Sequence, residues 1–222
     1  MELKSYIKIL PFVGRHMDYV LGPVVEVTEK LDGSQFCFGK DEEGKMHCRS
    51  KGAVIDMHAP PAMFSAAVAH VEAMAHRIPP NMAFYAETLN KPRHNSLTYE
   101  RIPKNGIALY GITDFHRTES LASEHQELVE WAEVLECEAV PLIYKGVLRD
   151  LEHAKSMMGG ISVLGKAIKE GIVIKNYGMS IELNGSVFPF VAVKHVSEEF
   201  KEVHRSNPDW TSAKDNKLLL LE

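Results

Sequence analysis

Apolar and polar residues alternate from Val24 to Lys30 (VVEVTEK), and a period of two predicts a strand with one buried face. Ser34 to Gly39 and Met46 to Ser50 flank the polar turn Lys40–Lys45, which contains Gly44, and together they predict a hairpin. The period lengthens from Ala62 to Ile78: Phe64, Ala67, Val68, Val71 and Ala75 share one helical face, and Pro79-Pro80 stops the helix. Met82 to Leu89 and Ile107 to Phe115 are predicted strands. The polar loop between them, Asn90 to Asn105, carries Lys91, Arg93, His94, Arg101 and Lys104. A second amphipathic helix is predicted over Leu121 to Leu135, with Leu121, Leu128, Ala132 and Leu135 on its buried side. A short strand over Ala139 to Tyr144 and a helix over Leu148 to Met158 follow. Gly171 to Tyr177 and Val187 to Val196 are rich in β-branched residues and are predicted strands, and Ser197 to His204 is predicted helical. Strands outnumber helices and cluster as hairpins and meanders, which predicts the α+β class with mostly antiparallel sheets flanked by helices.

Composition narrows the class without naming a function. The chain has 222 residues, 45% hydrophobic and 25% charged, ordinary for a globular protein, and no linker-like stretch divides it, so one domain is expected. Lys plus Arg is 25 against Asp plus Glu at 30, and a net charge of −5 argues against a chain that coats nucleic acid non-specifically. Cys37, Cys48 and Cys137 are odd in number and form no C-x-x-C pair, which argues against a disulfide framework and a cysteine-ligated zinc site. Cys37 and Cys48 lie on the two arms of the hairpin and read as buried thiols. No apolar run approaches the roughly 20 residues that span a bilayer. Glu2, Lys4, Lys8, Arg15 and His16 interrupt the N-terminus, so it lacks a signal peptide's apolar core. A reducing, cytoplasmic setting is the expectation.

The most informative stretch is Glu29-Lys30-Leu31-Asp32-Gly33-Ser34. A lysine that leaves a strand and meets Asp and Gly at once suits a covalent nucleophile, because its amine can lose a proton when the site lowers its pKa. Gly33 would let the backbone approach a bulky nucleotide. K-x-D-G arises by chance in roughly one chain in twenty of this length on average residue frequencies. Further elements follow it in order. Phe84-Tyr85-Ala86-Glu87 sets a glutamate within an apolar strand, and Glu170-Gly171-Ile172-Val173-Ile174-Lys175 puts a carboxylate before a buried strand and a lysine near its end. With a period of two, Ile172 and Ile174 face one side, and Gly171, Val173 and Lys175 the other. Phe190-Val191-Ala192-Val193-Lys194 ends another strand on a lysine, while Arg49, Lys51 and Gly52 close the hairpin. The histidines show no H-x-x-x-H or H-E-x-x-H spacing and read as packing or surface residues.

This order of elements resembles the covalent nucleotidyltransferases: ATP-dependent DNA and RNA ligases and RNA-capping guanylyltransferases. The match runs from about Val24 to His195. The resemblance implies a nucleotidyltransferase (ATP-grasp-like ligase) fold; the length is expected to hold a single adenylyltransferase domain over residues 1–222, without the C-terminal OB-type or helical accessory domain that most relatives carry. It places Lys30 as the nucleotidyl-lysine, with Asp32, Lys175 and Lys194 as catalytic partners. It implies an ATP site from Glu29, Lys30, Leu31, Arg49, Glu87, Tyr110, Glu170, Lys175 and Lys194, with Tyr110 stacked on the purine. Gln35 stands where DNA ligases usually carry arginine and RNA ligases of the second phage class asparagine. As an amide it is closer to the RNA-ligase pattern, as are Glu29 and His94-Asn95-Ser96-Leu97-Thr98-Tyr99. That expected lack of an accessory domain is one departure from the family pattern, and the terminal lysine-x-lysine pair, here Ala192-x-Lys194, is a second.

What the resemblance implies is an RNA ligase that uses ATP, with Mg²⁺ or Mn²⁺ held by Glu87 and Glu170. Lys30 would attack the α-phosphorus, AMP would pass to a 5′-phosphate, and a 3′-hydroxyl would displace it. RNA ends or a nicked duplex are the expected substrates, met through Lys51, Arg93 and Lys104, with no membrane and with room for a helper protein that grips the polynucleotide. DNA ligase, capping guanylyltransferase and a non-catalytic nucleotide- or RNA-binding module stay open beside it. Local positive charge on the loop and the lysines would reconcile a polynucleotide substrate with the net charge.

Overall fold

The alternating segments become strands of two large sheets that pack face to face. The computed structural model describes residues 2–183, 185–198 and 200–201. The strands in chain order are β1 (Leu10–Pro11), β2 (Val24–Lys30), β3 (Ser34–Lys40), β4 (Met46–Ser50), β5 (Val54–Ile55), β6 (Met82–Thr88), β7 (Ile107–Asp114), β8 (Glu138–Ala139), β9 (Leu142–Val147), β10 (Gly171–Asn176), β11 (Ile181–Leu183), β12 (Ser186–Phe188) and β13 (Val191–Val196). The α-helices bounded within the described residues are α1 (Ser65–Ala73), α2 (His125–Val134) and α3 (Leu151–Ser156). Sheet A has the order β1-β13-β10-β2-β9 and sheet B the order β5-β4-β3-β6-β7-β8. Among the described residues only β1–β13 and β7–β8 pair in parallel, so the α+β, mostly antiparallel expectation holds.

Alternation assigns each strand's two faces to different layers. Val25 and Val27 of β2, Ile172 and Ile174 of β10, and Val191 and Val193 of β13 form the outer face of sheet A, covered by Val20, Leu148 and Ala154. Phe36, Phe38, Phe84, Ala86, Ile107 and Leu109 form the outer face of sheet B under Phe64, Ala67, Val68 and Val71 of the α1 region and Leu128 and Ala132 of α2. Between the sheets, Cys37, Ala83 and Tyr85 of sheet B meet Val173 and Ala192 of sheet A. Cys48 pairs opposite Phe38 and Cys37 opposite Arg49. Cys37 and Cys48 are therefore buried on opposite faces of sheet B and cannot join. Trp131 packs its ring against Phe84 at 5.2 Å.

Several predicted boundaries move for local reasons. The helix expected from Leu121 begins at His125, because the Glu124 and Glu127 side chains form a reciprocal capping box. Leu121 still packs on the core ahead of it. The helix over Ala62–Ile78 shortens to α1 and a 3₁₀ turn at Ala75–Arg77. The Asp150 side chain accepts from His153 N at 2.7 Å and starts α3 later than Leu148. The single strand over Ala139–Tyr144 is two strands in different sheets, parted at Val140-Pro141, and Pro189 parts β12 from β13, since proline lacks a ladder donor. Helical backbone is present at Glu198, Phe200 and Lys201. The rest of the helix expected to His204, and Trp210, lie outside the described residues. Among those residues, no helix is long and apolar enough to cross a membrane.

Candidate active site

The chain crosses from sheet A to sheet B at Leu31-Asp32-Gly33, and Lys30 is the last residue before the crossing. Thr28 and Lys30 share the inner face of sheet A with Val173, Lys175, Ala192 and Lys194, as the registers Thr28↔Val173, Val173↔Lys194 and Lys175↔Ala192 require. Lys30, Lys175, Lys194, Glu29, Leu31, Gly33, Gln35, Lys51, Glu87, Tyr110 and Val173 all line a cavity of about 260 Å³ between the sheets. Glycine is required at 33: a Cβ there would lie 2.6 Å from Thr88 O and 2.8 Å from Glu87 Cγ. The bare Gly33 amide instead donates to Glu87 Oε1 at 3.1 Å. Tyr110 owes its place to a bulge. Tyr85 pairs with Gly111 and Ala86 with Leu109, so Tyr110 has no partner in the register and its ring turns to the cavity. It meets Tyr6 edge to face at 4.8 Å.

Charge in the cavity is arranged around Lys30. Its Nζ lies 2.7 Å from both Oε1 and Oε2 of Glu170. Burial alone would pull this amine down, but Glu170, Glu87 and Asp32 together outweigh it and hold it above the ordinary lysine value. The resting group is an ammonium. Burial pushes Glu87 up to about 7, against the pull of Lys30 and with the push of Glu170. Glu170 and Glu29 are raised by burial as well. Lys175 is pushed down to about 8 by burial, and its ammonium donates to the Tyr110 carbonyl. Burial, Lys30 and Lys51 lower Lys194. Lys30 thus stands as an anchored amine among three carboxylates of raised proton affinity, Glu29, Glu87 and Glu170, and three further lysines at 51, 175 and 194.

The sequence-expected residues divide by place. Lys30, Leu31, Glu29, Glu87, Tyr110, Lys175 and Lys194 line the cavity, and Glu170 grips Lys30. Glu29 Oε2 accepts from Val163 N at 3.2 Å, while its buried Oε1 has no hydrogen-bond partner among the described residues. Asp32 is outside the lining. Its Oδ2 accepts from Ser96 N and Leu97 N, both at 2.8 Å, and its amide donates to Tyr99 Oη at 2.8 Å. His94 and Asn95 add contacts to Ser34 Oγ (2.9 Å) and Gly33 O (2.5 Å), so residues 94–99 are laced to the crossing. Arg49 also lies outside the lining and donates to Leu3 O at 2.6 Å and Glu2 Oε1 at 3.2 Å. Lys51, expected to meet nucleic acid, is exposed and lines the cavity. Arg93 and Lys104 are exposed, and neither lines the cavity. Sequence reasoning missed Tyr6, Ile9, Thr28 and Val140. Tyr6 and Ile9 sit in an N-terminal segment without motif or period, so nothing in the sequence pointed to them.

A family model described as RNA ligase matches residues 23–191. Three solved structures of Naegleria gruberi RNA ligase share the fold. A lysine-to-alanine mutant with ATP and Mn has a TM-score of 0.69 and 19% identity, over 92% of this chain and 59% of that one. A glutamate-to-alanine mutant with AMP and Mn gives 0.69 and 19%, over 93% and 62%. The ligase with PPi gives 0.64 and 21%, over 93% and 61%. This chain spans less than two thirds of the length of those ligases. No curated protein matches it.

Proposed function

The chain belongs to the RNA ligase family, whose model spans residues 23–191, and on that premise we propose that it joins RNA ends with ATP through a lysine-bound AMP. The observation that carries this reading is Lys30 itself, a gripped amine in the wall of a cavity lined also by Lys51, Lys175, Lys194, Glu87 and Tyr110. Tyr110 and Val173 would take the purine between them, and a stacked base is worth about 1–3 kcal/mol. The unpartnered Glu29 Oε1 suits the exocyclic amine of adenine, which supports ATP as donor.

Lys30 attacks as a free amine, so its proton must leave, and it is about a quarter exposed through which the proton can pass to solvent. Nitrogen then bonds to the α-phosphorus, the bond to the pyrophosphate oxygen breaks, and pyrophosphate leaves with the electron pair. A 5′-phosphate oxygen next takes AMP from Lys30, and a 3′-hydroxyl displaces AMP to form the phosphodiester. Lys175, Lys194 and Lys51 balance the phosphate charge through these transfers.

No three His, Cys, Asp or Glu side chains among the described residues cluster to hold a metal alone. Glu87 and Glu170 do fit a hard cation that takes its other ligands from phosphate and water, the usual habit of Mg²⁺. When bound, Mg²⁺ or Mn²⁺ would neutralise the phosphates and compete with Lys30 for Glu170, which lowers the cost of deprotonating the amine. RNA ends and nicked duplexes are both proposed substrates, and a helper protein could supply grip on the polynucleotide beyond the exposed Arg93 and Lys104. Three buried, unpaired thiols suit a reducing compartment such as the cytoplasm. Ala192, opposite Lys175 on the cavity face, favours a second reading as a binding module, since it withholds one cation.

Intact-mass measurement after incubation with ATP and Mg²⁺ separates the two. We expect a covalent AMP adduct on the native chain, none on Lys30→Ala and none without divalent metal. An unmodified native chain, or an adduct retained by Lys30→Ala, defeats the proposal.

A further inference from the structure

Glu26 lies on the inner face of sheet A, four residues before the nucleophile, and belongs to none of the motif elements. It is 4% exposed; Oε1 meets the Lys145 ammonium at 3.2 Å, and Oε2 has no hydrogen-bond partner among the described residues. Its neighbours are set by register. Lys175 stands directly opposite it on β10, and Lys145 directly opposite on β9. Residues so paired have Cβ atoms about 4.5–5.5 Å apart. Lys145 approaches from the solvent side, with Nζ 3.2 Å from Oε1, but it is half exposed and shares itself with Glu124 at 2.5 Å. Solvent screens a lysine this exposed, and a second carboxylate competes for it. It leaves Oε2 buried without a partner among the described residues, and such a group calls for an explanation.

The other side of Glu26 supplies that reason. Lys175 is 1% exposed and lines the cavity. From β7 it meets a neutral acceptor, the Tyr110 carbonyl, and along its own strand the Tyr177 ring at 5.9 Å. From β13 it faces Ala192, with the cationic Lys194 two residues on. Further along β2 lies Lys30, whose charge Glu170 already balances. Tyr6 and its hydroxyl come from the N-terminal segment. Glu26 is therefore the carboxylate that register sets against the buried ammonium.

We propose that Glu26 is a positioning residue of nucleotidyl transfer: the buried counter-ion that keeps Lys175 charged in the cavity for an anionic nucleotide. The role rests on the ligase reading above. It gains weight from Ala192, because with no lysine opposite Lys175 each remaining cation carries more of the phosphate charge. Burial alone opposes the charge on Lys175, and Glu26 is the partner that favours it, consistent with an amine near 8 rather than lower still.

Two measurements on the full chain test this, with Glu26→Gln as the isosteric variant. The first needs no nucleotide: a ¹⁵N NMR titration of the Lys175 side chain. Loss of a close opposite charge moves a pKa by about one unit or more, so at pH near 8 the charged fraction of Lys175 falls about five-fold in Glu26→Gln. The second is the rate of AMP-adduct formation against pH. Its alkaline limb moves to lower pH in Glu26→Gln with a raised KM for ATP, is partly restored in Glu26→Asp, and stays in place in Lys145→Ala. A merely structural carboxylate would change melting temperature but neither profile. An unchanged Lys175 titration in Glu26→Gln overturns the inference, as does an unchanged pH profile of adduct formation. A native chain that titrates as described but forms no adduct overturns the ligase reading instead. Should Glu26→Gln fail to fold, Glu26→Asp carries both tests, with smaller shifts in the same direction.

Discussion

Replacing Asp32 by alanine removes the acceptor of two backbone hydrogen bonds, Ser96 N and Leu97 N to Oδ2, both at 2.8 Å, from a residue only 8% exposed. A hydrogen bond to a charged group contributes about 1.5–3 kcal/mol, and a buried amide left unpaired costs about 1–3 kcal/mol. Leu97 is buried, whereas Asn95 and Thr98 are exposed, so part of the loop can turn its amides to water. The expected loss is about 2–4 kcal/mol. Asp32→Asn keeps a neutral oxygen acceptor and should lose about half as much. For a domain of this size each kcal/mol lowers the melting temperature by roughly 2–4 °C, so Asp32→Ala should melt roughly 5–15 °C lower. Calorimetry gives the melting temperature, and amide exchange at Ser96 and Leu97 locates the change. AMP labelling should fall as a consequence, because the same turn carries Lys30. The reasoning fails if Asp32→Ala melts with the native chain and both amides stay protected while labelling is lost, since Asp32 would then act on substrate directly.

Burial raises Glu87 from the ordinary 4.5 to about 7, so its protonated form contributes stability that is fully present below about 4.5 and lost as the pH rises through about 7. Urea midpoints of the nucleotide-free chain at pH 5 and pH 8 should therefore differ less in Glu87→Gln than in the native chain; equal differences contradict the assignment. Burial also pushes the thiols of Cys37, Cys48 and Cys137 up to about 12. A thiol reagent at pH near 8 should modify none of them until denaturant is added, and prompt reaction of the native chain would count against their burial.

The strands were legible because each has two faces with different neighbours. In β2, β10 and β13 the valines and isoleucines of the outer face alternate with Glu26, Thr28, Lys30, Lys175 and Lys194 on the inner one, and that contrast is the periodicity itself. Short elements carry no period, so β1, β5 and β11 escaped notice. Prolines 141 and 189 ended strands that composition alone would continue. In the site, the motif order located Lys30, Glu87, Glu170, Lys175 and Lys194 because strand ends fix where such residues can point. Asp32 shows the limit of that reasoning. A motif residue one step past the strand turned back to hold residues 94–99, and only the folded loop reveals which groups it meets. The place of Tyr110 was expected, but the bulge that aims its ring depends on pairing between β6 and β7, which no single strand encodes.

Arg49 was expected at the nucleotide, and its actual partners show why the N-terminal segment matters to the cavity. Arg49 of sheet B donates to Leu3 O at 2.6 Å, Arg117 donates to Ser5 O at 2.6 Å and Tyr6 O at 3.2 Å, and Gln35 reaches Ser5 Oγ at 2.7 Å. A few residues on, Phe12 N donates to Lys194 O at 3.0 Å, and Leu10–Pro11 pair with β13 of sheet A. Residues 3–12 therefore bridge the two sheets. Two arginines satisfy the bridge's carbonyls at one end and a strand ladder holds it at the other. Tyr6 and Ile9 become cavity wall in consequence, and Gly111 must lack a side chain because a Cβ there would meet the Tyr6 ring at 2.6 Å. The guanidinium of Arg49 thus acts on the cavity by fixing the segment that closes it, rather than by lining it.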